Sequence, residues 1–377
     1  MNGLESFFAS RHMAHLPANT ATHPLQIGRR IEPLTEGNET WGNAEIVLVG
    51  CGEQRGHDFN AGYSSAPDAI REALYKMYDW HPEITVADAG NLLEGASAGD
   101  TRASLRAVME DLQKEGKIVV LLGGSHDLTL QQYEAFKKND RTINAAVIDM
   151  LIDLNETEGL DDTGFLMDML TAQPNYIRHF SHIGFQSYYV NPHLLETMDK
   201  LRFDCFRLGR VRENLEEIEP VLRNCDMLSI DMKAVRYSDA PFLKDGSPNG
   251  FFGDEMCQLV RYAGMSNKLS SLGIYGYYPE LDIDQQGARL IAQMLWYFAD
   301  GYHLRKLEAN LDNRAEFVEY NIAFTGNNCL FLKSKRTGRW WMQLPDNSFT
   351  PCSYNDYMTA ANDEIPERWL REQERIV

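Results

Sequence analysis

Close cysteine pairs are missing from this sequence. Its six cysteines, Cys51, Cys205, Cys225, Cys257, Cys329 and Cys352, are scattered, and no two form a C-x-x-C unit. That spacing excludes a zinc framework and a disulfide scaffold, and it reads as reduced thiols in a cytoplasmic protein. Long apolar runs are missing as well. No stretch reaches the roughly 20 apolar residues that a membrane span needs, and "MNGLESFFASRHMAHLP" has no charged segment leading into an apolar one. Neither secretion nor a membrane partner is expected. Positive charge is scarce: 36 Lys and Arg face 55 Asp and Glu, a formal net charge of −19. Such a chain repels phosphate backbones, so nucleic acid is not an expected partner, whereas a small cationic ligand suits the field. Internal repeats and low-complexity linkers are also absent.

What is present is ordinary globular material, 44% hydrophobic and 24% charged over 377 residues. That is long enough to bury a sizeable core. Short apolar runs alternate with helical patterns from about Glu45 onward. Strands are expected at 44–50, 84–88, 117–124, 143–149, 182–185, 227–231 and 270–276. Helices are expected at 66–78, 101–116, 128–138 and 286–302. Most of the strands are continuously apolar, as in a parallel sheet covered on both faces. Strand and helix in alternation predict a doubly wound α/β sheet, with ligands at the carboxyl ends of its strands. The chain divides into an N-terminal arm (1–43), an α/β body (44–304) and an appendage (305–377). Within the appendage, 328–345 is expected to form a hairpin turning at Thr337-Gly338, and 354–377 a tail ending in a helix. The appendage is expected to pack on the body; its other reading is a surface for a homo-oligomer or a protein partner. The "RWW" of 339–341 reads as a packing face of the hairpin.

Three strand ends carry polar residues that a core would not choose: His126 in "LLGGSHDLTL", Asp149 and Asp153 in "VIDMLIDL", and Asp231 in "LSIDMKAVRY". Each has a plain structural explanation alone, since an aspartate ending a strand is often the cap of the next helix. Together they make a hard, oxygen-rich ligand set suited to manganese or magnesium. His12, His15, His23, His57 and His81 lack metal-ligand spacing to these motifs and read as surface or loop histidines.

The order and spacing of "GGSHD" (123–127), "DMLID" (149–153) and "SIDMKAVRY" (229–237) resemble the ureohydrolase family of arginase, agmatinase and formimidoylglutamase. The segments 52–75 and 277–298 resemble the family's glycine-rich entry and its closing helix. The resemblance spans roughly residues 44–302. It implies a three-layer α/β/α fold with a mostly parallel sheet of about eight strands. It also implies two manganese ions sharing a hydroxide. Carried over, one ion uses His126, Asp149, Asp153 and Asp231, all present. The other shares Asp149 and Asp231 and adds a histidine and an aspartate of its own, at positions that here hold Leu151 and Lys233. Leucine offers no donor atom, and lysine places a cation where a carboxylate held a metal. Three carboxylates and one ammonium leave two negative charges, which a single divalent ion cancels. The expected cofactor is therefore at most one Mn(II) or other divalent ion, or none, with the Lys233 ammonium paired to Asp149 or Asp231. Arg236 adds further positive charge. The family's proton-shuttling histidine has no counterpart in 154–170, and its substrate-gripping glutamate falls near Gly276. Two expectations compete: a weak or silent family member with a binding, structural or regulatory role, and a working hydrolase of a linear amidine close to formimidoylglutamase.

Overall fold

In a computed structural model, residues 4–8, 23–34, 40–55, 65–138, 141–154 and 163–376 are described. The strands in chain order are β1 (Glu32–Pro33), β2 (Ile46–Gly50), β3 (Val86–Asn91), β4 (Ile118–Leu122), β5 (Ile143–Ile148), β6 (Ile177–Phe185), β7 (Asp204–Arg207), β8 (Met227–Asp231), β9 (Ser271–Tyr275), β10 (Phe317–Phe324), β11 (Asn327–Ser334), β12 (Trp340–Gln343) and β13 (Phe349–Cys352). The helices are α1 (Ala66–Tyr75), α2 (Ala98–Lys114), α3 (Thr129–Lys137), α4 (Phe165–Thr171), α5 (Pro192–Lys200), α6 (Leu208–Glu213), α7 (Glu219–Arg223), α8 (Gly253–Gly264), α9 (Gln286–Leu307), α10 (Tyr354–Ala361) and α11 (Glu367–Ile376).

The first nine strands form one sheet in the order β1-β3-β2-β4-β9-β8-β5-β6-β7. Every neighbouring pair in it is parallel. Alternation along the pleat sends successive side chains to opposite faces. Ile118, Val120 and Leu122 of β4 join one apolar cluster with α1, α8 and α9. Val119 and Leu121 join another with α2 on the opposite face. Ala145 and Val147 of β5 continue that second layer beside α3 and α4. Both faces are covered, so the central strands are apolar at most positions, which is why they are readable in the sequence.

The sheet has nine strands rather than about eight. The additions are the edge strands β1 and β7, short and half-buried, with too little apolar sequence to announce themselves. β6 begins five residues before the expected 182, because Arg178, His179 and Ser181 interrupt its apolar pattern.

After the body comes a four-stranded antiparallel sheet, β10-β11-β12-β13, with its own apolar clusters. The expected hairpin is β11–β12, and Gly338 at its turn has φ +74°. Flanking strands β10 and β13 extend it to a meander, and two helices follow. Trp340 and Trp341 are buried: Trp340 stacks on Tyr320 and Tyr357, and Trp341 meets Phe317 edge-on.

Candidate metal centre

Strand order explains why three distant motifs meet. β4, β9, β8 and β5 are consecutive in the middle of the sheet. Their carboxyl ends deliver His126, Gly276, Asp231 and the Asp149–Asp153 pair to one place.

His126 opens a short 3-10 turn after β4. Gly123 and Gly124 before it have φ of +88° and +80°, a region costly for residues with a Cβ. A Cβ on Gly124 would also lie 2.8 Å from the Cys51 carbonyl oxygen. The loop is pinned from behind by the next residue: Asp127 is fully buried, and its Oδ2 accepts from Arg102 Nη2 at 2.6 Å. The ring of His126 packs edge-on against Phe165 and tilts against Tyr275.

The predicted residues converge. His126 Nδ1 lies 3.0 Å from Asp153 Oδ2, 3.5 Å from Asp149 Oδ2 and 3.6 Å from Asp231 Oδ2. All four side chains are at most 5% exposed. On the other side of the ring, His126 Nε2 sits 3.0 Å from Ser229 Oγ, which is 2.6 Å from Thr129 Oγ1. With Nε2–H donating to Ser229, the Nδ1 lone pair faces three carboxylates, and only a cation, proton or metal ion, relieves that arrangement.

The electrostatics carry the same strain. Burial, and then repulsion from Asp153, push Asp149 above the usual carboxylate range, against the pull of His126. Burial and Asp149 raise Asp231 likewise, with the Lys233 charge opposing. Burial works to depress His126, but hydrogen bonds to Asp149 and Asp153 and the charge of Asp231 outweigh it and hold the imidazole well above its ordinary value. His126, Asp149 and Asp153 offer donor atoms close enough to share a divalent ion, with Asp231 beside them, and an imidazole among buried carboxylates suits an oxygen-preferring metal.

The positions expected to serve a second ion differ. Leu151 is half-buried and brings no donor. Lys233 stands two residues after Asp231, and its charge pulls the Asp231 carboxyl down. Asp231 also caps the 3-10 turn Met232–Ala234, and its Oδ1 accepts from the Lys233 backbone N–H at 2.8 Å. The lysine therefore acts on Asp231 through both its amide and its charge. Arg236 is engaged elsewhere, on Asp239 at 2.8 Å and over the Phe252 ring at 3.7 Å.

Gly276, where the substrate-gripping glutamate was expected, has φ +76°, and a Cβ there would lie 2.5 Å from Asp231 Oδ1. The close approach of β9 to Asp231 leaves no room for a side chain. Ser229 and Asp127 were missed as functional positions, although both stand inside the quoted motifs. His182 was missed too. It is buried, its Nε2 lies 3.2 Å from the Asp149 carbonyl oxygen, and its Nδ1 has no partner among the described residues. His12, His15, His57 and residues 155–162 of the loop after Asp153 lie outside the described residues.

A parallel, helix-covered sheet with a histidine and three aspartates at its central carboxyl ends defines an α/β protein with a candidate metal pocket. The arginase family model matches residues 44–300, and the chain belongs to that family. It is similar to the formimidoylglutamase of Vibrio cholerae, 24% identical over 307 residues covering 73% of this chain and 90% of the relative. Among solved structures it resembles formimidoylglutamase from Bacillus subtilis, with TM-score 0.64, 20% identity, and 73% and 91% of the two chains covered. It also resembles Trypanosoma cruzi formiminoglutamase with two Mn2+, with TM-score 0.65, 15% identity, and 70% and 95% covered. At these identities the structural likeness speaks for the fold alone.

Proposed function

We propose that this protein holds a single divalent ion on His126, Asp149, Asp153 and Asp231, and that it is a weak or silent hydrolase of linear amidines and guanidines. Its role is then one of binding, towards a small cationic ligand or a protein partner, including a second copy of itself. The carrying observation is the contrast within one pocket. Four donors are assembled and dry, while the neighbouring positions hold Leu151, which has no donor, and Lys233, a cation.

A bound divalent ion lowers the pKa of a coordinated water and so supplies a nucleophile. The chain's own part is to exclude bulk water and to fix the imidazole. Ser229 orients His126 from behind, and Asp127 with Arg102 anchors its loop. Nothing in the described residues replaces the missing donors, and a lysine charge beside Asp231 disfavours a second cation there.

The test joins metal content to product release. The expected outcome is no more than one manganese per chain, with no turnover within the ordinary enzyme range of ~1–10³ s⁻¹ on arginine, agmatine or formimidoylglutamate, followed as urea or formamide. The double variant Leu151→His with Lys233→Asp should take up a second equivalent and gain thermal stability from manganese, because a ligand that binds only the folded state stabilises it by mass action. Two ions in the unaltered protein, or turnover in that range, would overturn the proposal. They would instead support a working formimidoyl hydrolase, a reading favoured by the formimidoylglutamase relatives matched over most of their length.

A further inference from the structure

A second group of donors lies at the opposite end of the sheet. His81 and Glu83 stand in the turn before β3, and His303 projects from α9. Glu83 Oε1 contacts His303 Nδ1 and lies 3.8 Å from His81 Nδ1. The two imidazoles stack, with centroids 4.4 Å apart and planes 20° apart. We propose that His81, Glu83 and His303 form an independent site for a divalent transition ion such as zinc, which ties the turn before β3 to the helix α9.

Three observations carry this beyond a surface ion pair. The first is the tautomer of His81. Its Nε2 is 3.1 Å from Asp300 Oδ1, and Asp300 is held by Arg261 through Oδ2 at 2.5 Å. A carboxylate accepts only from an N–H, so Nε2 donates to Asp300 and Nδ1 is the ring atom left to face Glu83. This is the carboxylate–histidine arrangement that orients metal-binding imidazoles. The second is the stack. It brings both imidazoles beside Glu83, and a turn of the partly exposed His303 ring out of the stack aims its lone pair at the point that Glu83 and His81 Nδ1 share. The third is the setting. Trp296 lies 6.1 Å from the His81 ring and Trp80 meets Trp296 edge-on, so one flank is apolar while Glu83 stays exposed and able to swing. Two histidines, one carboxylate and an open solvent side match a three-ligand zinc site with water in the fourth place. The donor set is richer in nitrogen than the His126 cluster and so suits a different ion. The proposal does not depend on what the His126 cluster binds or catalyses.

The test uses the full-length protein, its His126 cluster first saturated with manganese, and titrates zinc against a chromophoric chelator. The unaltered protein should bind one zinc equivalent that is lost in His303→Ala and His81→Ala, with manganese content unchanged. Glu83→Gln, at an exposed position where folding is not in question, should also lose it or bind at least tenfold more weakly. Asp300→Asn should weaken zinc by about 10–100-fold, the usual effect of removing a carboxylate behind a liganding histidine. Cobalt(II) in place of zinc should give visible absorption bands that disappear in Glu83→Gln. Equal zinc stoichiometry and affinity in the unaltered protein, Glu83→Gln and His303→Ala, or no zinc bound at all, would overturn the proposal.

Discussion

At the scale of single residues, His182 shows how burial beside the metal pocket sets a pH response. Burial, opposed by Asp149, lowers its pKa to about 4, whereas an unfolded histidine titrates near ~6.5. The folded value is depressed, so the unfolded chain takes up the proton first. The stability contribution is complete above pH ~6.5 and lost as pH falls towards about 4, a difference of about 3 kcal/mol. In His182→Leu this slope should vanish. Denaturant unfolding of both proteins between pH 4 and 7 checks it, and parallel pH profiles would contradict it. The same scale shows what was legible in the sequence. His126, Asp149, Asp153 and Asp231 announced themselves because ionisable groups at the ends of apolar strands need a reason. The 3-10 turn that Asp231 caps, with its Oδ1 accepting from the Lys233 backbone N–H, was not legible, because sequence spacing carries no direction. His81 was read as a surface or loop histidine; its partner His303 lies far along the chain, 220 residues after Glu83, and only the fold brings it alongside.

At the scale of elements, the central strands were readable because burial on both faces makes most positions apolar, and β1 and β7 were not because edge strands are half-solvated. Where β9 ends, the residue that follows it belongs to the site. Gly276 adopts a left-handed conformation against Asp231, and its N–H donates to the Gly124 carbonyl at 3.1 Å, linking two of the motif loops. Gly276→Ala should lose about 1–2 kcal/mol from backbone strain alone and more from the collision with Asp231 Oδ1. It should also blunt any manganese-induced rise in melting temperature, because Asp231 must move. A thermal melt with and without manganese decides the matter. An unchanged melting temperature would mean that the loop relaxes freely and that the β9 end does not constrain the pocket.

At the scale of the whole molecule, the appended meander is joined to the body through α7. Arg223 is buried; its Nε donates to Glu219 at 2.5 Å, its Nη2 to the Trp340 carbonyl at 2.9 Å, and its guanidinium lies 4.4 Å from the Trp341 ring centroid. Arg223→Ala removes one partner of a buried pair and should cost about 3 kcal/mol. The loss should be concentrated where β12 and β13 meet the body, as faster amide exchange in those strands, and uniform protection across both sheets would refute the assignment. The meander was only half legible: the β11–β12 hairpin is marked by its glycine turn, whereas β10 alternates exposed and buried residues too weakly to stand out. One property of the His126 pocket reaches beyond chemistry. Its donors are closed off from solvent, so an ion held there leaves only when the surrounding loops open, at a rate set by local unfolding rather than by diffusion. The occupancy of such a pocket is a slow clock. It records the metals present when the chain folded and lags behind those around it later, so protein made in manganese-poor and manganese-rich medium should stay different through hours of dialysis against a common buffer.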